Sequence, residues 1–173
     1  MSEVTEVEVV ETVDSLFRAH YGRLVRALTL ACNDPEIAAD AVQEAFVKAH
    51  LHWRRVQHYD DPVGWIRRVA INRLHDDHRR QNRKGKALQR LAGEPSVVEV
   101  DQQAFDSDLP ALLAQLPKQQ RIAMALFYVD ELSIAEVATA LDVSEGAVKS
   151  YLHQGRSRLR SVVARGEEVH SDE

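Results

Sequence analysis

Residues 133–160, SIAEVATALDVSEGAVKSYLHQGRSRLR, constrain the fold of this chain more than any other stretch. Ser133 and Glu136, three positions apart, fit a capping box, in which each side chain answers the other residue's backbone N–H. Ile134, Val137, Ala138 and Leu141 then recur at helical spacing, so a short helix with one buried side ends near Leu141. Asp142-Val143-Ser144 breaks it. Ser144 suits the cap of a second helix, with Val148, Leu152, Leu159 and Val163 as its apolar positions and small Gly155 on the same side. Two short helices joined by a turn of three or four residues are the helix-turn-helix pattern, whose second helix can enter the major groove of DNA.

Opposite the apolar stripe of that second helix lie Gly146, Ser150, His153, Ser157 and Arg160, with Lys149 and Arg156 on one flank. Small, hydrogen-bonding and cationic side chains suit base edges and phosphates. The same pattern also serves two amphipathic helices that pack in any all-α domain and keep a solvated polar face, and spacing does not separate the two readings. The charge distribution helps. The chain has 173 residues and a net charge of −5, which looks wrong for a nucleic-acid binder until it is divided. Residues 65–90 hold nine Arg and Lys against Asp76 and Asp77, and residues 144–165 hold five against Glu145, so the remainder is strongly acidic. Two basic patches on an acidic body favour two separate contacts with a polyanion.

The rest of the chain also reads as helices, with no β signal. Residues 1–13 form an acidic leader without the basic start of a secretion signal, and no apolar run approaches the roughly 20 residues of a membrane helix, so the expected location is cytoplasmic, without membrane insertion. The single Cys32 excludes an internal disulfide and a Cys-rich zinc site, and suits a buried structural thiol. Residues 14–30 place Leu16, Phe17, Leu24, Val25 and Leu28 on one helical side. Asp34-Pro35 restarts the chain as N-cap plus first-turn proline, and the helix of residues 36–53 buries Ala38, Val42, Ala45, Phe46, Ala49 and Trp53. Its other face carries Asp40, Gln43 and Glu44 together with Val47 and Leu51. Apolar residues inside an acidic outward face suit a docking surface, although on pattern alone two isolated exposed apolar residues are the more ordinary reading.

Residues 52–61 read as a loop rich in aromatic and basic residues. Asp61-Pro62 then opens a helix over residues 63–80 with Ile66, Val69, Ala70 and Leu74 toward the core. Arg68, Asn72, His75 and Arg79 share the far side, beside Trp53, His58, Tyr59 and Trp65. Cations that track a backbone and aromatics that stack on unpaired bases make this a candidate single-strand surface, against the plainer reading of a solvated basic face. The pattern dissolves from residue 81, so residues 83–107 are expected to be a linker, partly helical near 87–91, and helices resume over 109–116 and 117–129. His75-Asp76-Asp77-His78 has metal-ligand spacing, but no second ligand cluster appears and five cations follow within nine residues, so no metal is expected. No phosphate loop or nucleophile motif is present, and neither a catalytic residue nor a cofactor is expected.

Four segments together resemble a known family: DAVQEAFVKAHLHW (40–53), WIRRVAINRLHDDHRR (65–80), LPKQQRIAMALFYVDELSIAEVATALDVS (116–144) and EGAVKSYLHQGRSRLR (145–160). Trp65, Ala70, Asn72, Asp76 and Arg79, and then Pro117, Glu136, Val137-Ala138, Leu141, Val148-Lys149-Ser150, Arg156 and Leu159, stand at spacings similar to those of the bacterial extracytoplasmic-function (ECF) sigma factors. The resemblance implies an all-α protein of two small helical domains joined by a flexible linker, the second a helix-turn-helix (winged-helix-like) domain. It assigns residues 14–82 to region 2, which binds core polymerase and melts the minus-ten element, and residues 108–165 to region 4, which reads the minus-thirty-five element, with an acidic tail over 166–173. Nothing after residue 165 reads as a further domain.

By that resemblance Asp40, Gln43, Glu44, Val47 and Leu51 dock on the β′ clamp helices of core RNA polymerase, and the polymerase β flap is a further partner. Trp53, His58, Tyr59, Trp65, Arg68, Asn72, His75 and Arg79 meet the minus-ten element, including the melted non-template strand. Ser144, Gly146, Lys149, Ser150, His153, Arg156 and Arg160 meet the upstream duplex. An anti-sigma factor, which many members have, is a further expected partner. The loop 53–61 offers no firm floor for a flipped base. A stand-alone helix-turn-helix repressor is the alternative, and it explains only the C-terminal half.

Overall fold

The computed structural model describes residues 11–89 and 109–170, all of whose regular structure is helical. Helix α1 (Val13–Cys32) starts at a capping box between Thr12 and Ser15 and ends on Asn33, whose left-handed φ of 59° closes the last turn. Helix α2 (Pro35–Leu51) opens as the sequence dictates: Asp34 Oδ1 accepts from the backbone N–H of Glu36 and Ile37, both at 3.0 Å, and Pro35 takes a position where no N–H is needed. The expected loop 52–61 contains one helical turn, α3 (Trp53–Val56), held because Val56 is buried.

Helix α4 (Pro62–Gln89) runs beyond residue 80, where its apolar periodicity fades, and turns the first part of the expected linker into helix. The Gln, Arg, Lys, Ala and Leu of residues 81–89 are good helix formers without needing an apolar face. Residues 90–107 of that linker and residues 1–10 of the leader lie outside the described residues. Helices α5 (Leu109–Ala114), α6 (Lys118–Tyr128), α7 (Ile134–Leu141) and α8 (Glu145–His170) complete the chain. Helix α8 reaches into the expected acidic tail, of which 171–173 lie outside the described residues. Val163, expected on the buried stripe, is 45% exposed. Beyond Leu159 only Val162 among the described side chains of α8 keeps partial burial, so the helix outruns the elements that cover it.

The two halves are packed on each other. Helix α1 lies against α2, α4 and, across the halves, α5 and α6, while α4 lies against α7. Buried Leu24, Leu28, Ile66 and Ile71 from the N-terminal half belong to one apolar cluster with Ile122, Leu126, Val148 and Leu152 from the C-terminal half. Helix α4 is therefore covered on two sides. Ile66, Ala70 and Leu74 form the side the periodicity announces, whereas Ile71 is a core residue the sequence reading missed and Val69 is only half-buried. Among the described residues three ion pairs cross the seam: Arg23–Glu131 (3.1 Å), Arg67–Asp130 (2.6 Å) and Arg68–Asp142 (3.3 Å). Each takes its cation from the N-terminal half and its anion from the C-terminal half.

Gly155 sets the approach of α8 to α6. A Cβ there would sit 3.0 Å from Met124 Cγ and 3.7 Å from Leu116 Cδ1. Alanine can be accommodated by the pliable methionine, but leucine overpacks the contact. Gly155→Leu is expected to cost about 1–3 kcal/mol of stability, read as a lower urea midpoint, with Gly155→Ala much closer to wild type.

Candidate nucleic-acid interface

The helix-turn-helix forms as its caps require. Ser133 N–H donates to Glu136 Oε2 (2.8 Å), and Glu136 N–H donates to Ser133 Oγ (3.2 Å). Asp142 ends α7 in the left-handed region at φ 57°, and Ser144 Oγ accepts from Ala147 N–H (3.1 Å) at the start of α8. The bond from Ser133 N–H is the first reason that the Glu136 carboxyl is held below its ordinary value of 4.5. A lowered carboxylate pKa means stability that is complete above the ordinary value and lost as pH falls through the lowered one. Glu136→Gln is therefore expected to lower stability at pH 7, where that contribution is complete, and to converge with the wild type as pH falls through the lowered value, a difference that urea titrations from pH 7 to pH 3 will measure.

Along α8, Ser144, Gly146, Lys149, Ser150, His153 and Arg160 are exposed on one continuous surface, as expected. Three hydrogen bonds prepare this face. Arg156, half-buried, donates from Nη1 to the Tyr128 hydroxyl (3.0 Å). Buried Gln120 donates to Gln154 Oε1 (2.8 Å), whose Nε2 donates to Ser150 Oγ (3.1 Å). Accepting that bond leaves the Ser150 hydroxyl its O–H to donate and one further lone pair. Gln120, Gln154 and Tyr128 were not identified from sequence, since their roles depend on a partner 28 or 34 residues away.

The second surface is built on α3, the turn after it and α4. Tyr59 and Trp65 come together, with ring centroids 6.2 Å apart and planes tilted by 51°. Trp53 is half-buried and His58 exposed. Asp61 Oδ1 accepts from Gly64 N–H (2.8 Å), which fixes the first turn of α4, and a Cβ at position 64 would sit 2.2 Å from Asp61 Oδ2, so a larger residue there would make the capping carboxylate shift. Arg68, Asn72 and Arg79 are exposed, and Asn72 lines an open groove with Arg73, Asp76 and Arg80. His75 does not share that exposure. It is half-buried and lines a cavity between α1, α4 and α6, because α4 is covered on that side by the other half.

Several cations counted in the basic patch are already engaged. Arg67 is only 6% exposed and bonded to Asp130, which is 5% exposed. Arg73 donates to Glu44 Oε2 (2.6 Å) and to Asp77. Hydrogen bonds from Lys48 first and Arg73 next hold the Glu44 carboxyl below its ordinary range. On α2, Asp40 and Gln43 are exposed, and Val47 and Leu51 are 52% and 71% exposed. The five residues expected to dock thus share an outward surface, with Glu44 tied to α4.

Two family models match this chain: Sigma-70 region 2 over residues 16–84, and Sigma-70 region 4 over residues 107–159. The chain is 30% identical over 166 residues to the RNA polymerase sigma-E factor of Streptomyces coelicolor, covering 95% of this chain and 90% of that one. It is 33% identical over 150 residues to the ECF RNA polymerase sigma factor SigM of Mycobacterium tuberculosis, covering 84% and 74%. The chain belongs to the ECF sigma factors. SigM of Bacillus subtilis is also similar, at 27% identity over 90% of this chain and 97% of that one. Two solved structures share the fold: the sigma factor RpoE in complex with the anti-sigma factor NepR from Bartonella quintana (TM-score 0.72, 18% identity, 87% and 96% covered), and CnrH in complex with the cytosolic domain of CnrY (TM-score 0.62, 22% identity, 88% of each chain). The sigma factor is a non-enzymatic initiation subunit that acts with core RNA polymerase on promoter DNA. The repressor alternative has no support, since region 2 accounts for the half that it left unassigned. Among the described residues no helix is long and apolar enough to cross a membrane.

Proposed function

We propose that this sigma factor works in the cytoplasm as two separate promoter contacts, with residues 14–82 as the opening domain and residues 108–165 as the upstream reader. The observation that carries the division is the distribution of exposed polar side chains over two distinct surfaces, one on α8 and one on α3–α4. On α8, Lys149, Arg156 and Arg160 meet phosphates, while Ser144, Gly146, Ser150 and His153 approach base edges; a hydroxyl that donates, as at Ser150, suits an acceptor such as guanine O6 or N7. On the other surface, Trp53, His58, Tyr59 and Trp65 offer stacking faces for the melted non-template strand, with Arg68, Asn72 and Arg79 along its backbone. His75, turned into the cavity, reaches DNA only after a rearrangement. No step is catalytic: binding the open form more tightly than duplex shifts the equilibrium toward opening.

The packed arrangement cannot read both elements at once. Minus-ten and minus-thirty-five positions lie about 25 base pairs apart, roughly 85 Å at about 3.4 Å per base pair. A folded chain of this length is about 40 Å across. The halves therefore part on the way to the promoter, which breaks Arg67–Asp130 and releases Arg68 from Asp142. The energy comes from docking Asp40, Gln43, Glu44, Val47 and Leu51 on the β′ clamp helices and region 4 on the β flap. An anti-sigma partner that favours the packed form would oppose it, and two relatives of this fold are seen with such partners.

The experiment is transcription from a genomic template with core polymerase plus this chain, followed by sequencing of the transcript starts. Starts clustered at sites that share two elements support the reading; output independent of promoter sequence contradicts it. Within the reconstituted system, Lys149→Ala is expected to weaken upstream binding and to reduce the slope of log affinity against log salt by about 1, the signature of a lost phosphate contact. An unchanged slope would remove Lys149 from that role.

A further inference from the structure

Between the two halves, α1, α2, α4 and α6 enclose a cavity of about 100 Å³ that neither promoter contact uses. Its walls are apolar, with Leu28 from α1, Ile71 from α4 and Ile122 from α6. Into it α6 brings two cations from its first turn, Lys118 and Arg121, and α4 brings the His75 imidazole. Among the described residues the one carboxylate in the lining, Asp77, is already taken by Arg73.

The positive charge there is not balanced from within the described residues. Arg121 Nε is buried without a hydrogen-bond partner, and its Nη1 reaches only the Ala114 carbonyl at 3.5 Å. A buried guanidinium N–H left without an acceptor is costly, more so than a neutral donor. Lys118 is held below the usual lysine pKa by burial first, and then by the like charges of Arg121 and Arg79. The α6 N-terminus adds its own partial positive charge, since Pro117 at the cap position supplies no side-chain acceptor.

We propose that this cavity is a binding site for a small phosphate-class oxyanion, held by Lys118 and Arg121 and closed by α1 and α4. Size sets the class. The space of about 100 Å³ is several times the roughly 10–15 Å³ that admits a single water. That admits a tetrahedral oxyanion. Geometry gives the site a consequence. The cations come from the C-terminal half and much of the wall from the N-terminal half, so the complete site exists only while the halves are packed. An oxyanion bound there favours the packed form and opposes assembly with core polymerase. The binding itself stands independently of the promoter reading; only the effect on assembly rests on it.

The test uses the full chain in phosphate or in chloride of matched ionic strength. Phosphate is expected to raise the melting temperature in proportion to the logarithm of its concentration once that exceeds the dissociation constant and to broaden its own ³¹P resonance, and chloride to leave the melting temperature unchanged. Lys118→Gln and Arg121→Gln are each expected to weaken phosphate binding at least tenfold, whereas Arg18→Gln, on the exposed surface of α1, keeps wild-type affinity. At a phosphate concentration ten times its dissociation constant, affinity for core polymerase should fall about tenfold in the wild type and be unchanged in Lys118→Gln. If Arg121→Gln loses its helical circular dichroism, the Lys118 variant and the wild-type ³¹P titration decide the matter. Stabilisation that chloride matches, or that survives both substitutions, overturns the site. Phosphate binding with no effect on core affinity keeps the site and removes its regulatory consequence, and failure of promoter-specific transcription in phosphate-free buffer is a separate result that bears only on the promoter reading.

Discussion

Asp130→Ala is expected to open the molecule. Arg67 Nε and Asp130 Oδ2 are 2.6 Å apart with side chains 7% and 3% exposed, so removing the carboxylate leaves a buried guanidinium without its hydrogen-bonded partner and with only the weaker charge interaction with Glu136. Breaking such a pair by deleting one partner costs about 3–5 kcal/mol. In most proteins that cost appears as unfolding. Here the cation has a cheaper escape, because it lies on the seam between two halves and regains water when they part. The cost then appears as a shift in the packed-to-open ratio of roughly a hundred- to several-thousand-fold. Small-angle scattering should show a larger radius of gyration with helical circular dichroism retained. Core polymerase should bind the variant more tightly, because apparent affinity is reduced by whatever fraction of the free chain is closed. A second variant separates charge from packing: Arg67→Met with Asp130→Leu replaces the pair by apolar side chains, an exchange that is often neutral or stabilising for packing. It should restore compaction and remove the gain in affinity. A wild-type radius and wild-type core affinity in Asp130→Ala would show that the pair does not hold the halves.

That pair also marks the boundary of what the sequence discloses. Features fixed within a few residues were legible: the Ser133–Glu136 box, the Asp34-Pro35 restart and the exposed face of α8 from Ser144 to Arg160 all stand as their local chemistry requires. Such features need no knowledge of the rest of the fold. Arg67 is different. It was counted in the basic patch of residues 65–90, yet its partner is 63 residues away and lies in a turn with no pattern of its own. The only local hint was Arg67, Ile71 and Leu74 at i, i+4 and i+7, a second stripe along α4 that becomes meaningful once another layer covers it. The same second layer turned His75 inward while Arg68, Asn72 and Arg79 stayed exposed. The length of α4 was missed for the converse reason, since periodicity reports burial and residues 81–89 can be helical without it.

The second large effect concerns α2, where the side chains are already exposed and substitution leaves the core alone. Val47 and Leu51 are 52% and 71% exposed, one turn apart, in a face otherwise made of Asp40, Gln43 and Glu44. Side chains that fill pockets at the centre of an interface each contribute about 2 kcal/mol or more when truncated. Replacing both by glutamate removes the apolar contact and places two carboxylates where a complementary apolar surface is expected. Two losses of that size correspond to roughly a thousandfold weaker core binding at about 1.4 kcal/mol per tenfold, although neighbouring positions need not add. The double variant Val47→Glu/Leu51→Glu should keep the wild-type melting temperature within a few degrees, since surface substitutions away from special features usually lie within about 0.5 kcal/mol. It should lose promoter-specific transcription at concentrations where the wild type saturates core, and regain part of it when the variant is added in large excess. Loss that excess protein cannot relieve would place these side chains at a later step than docking. Retention of full core affinity would return Val47 and Leu51 to the ordinary class of isolated exposed apolar residues, and would leave Asp40, Gln43 and Glu44 without an apolar centre to surround.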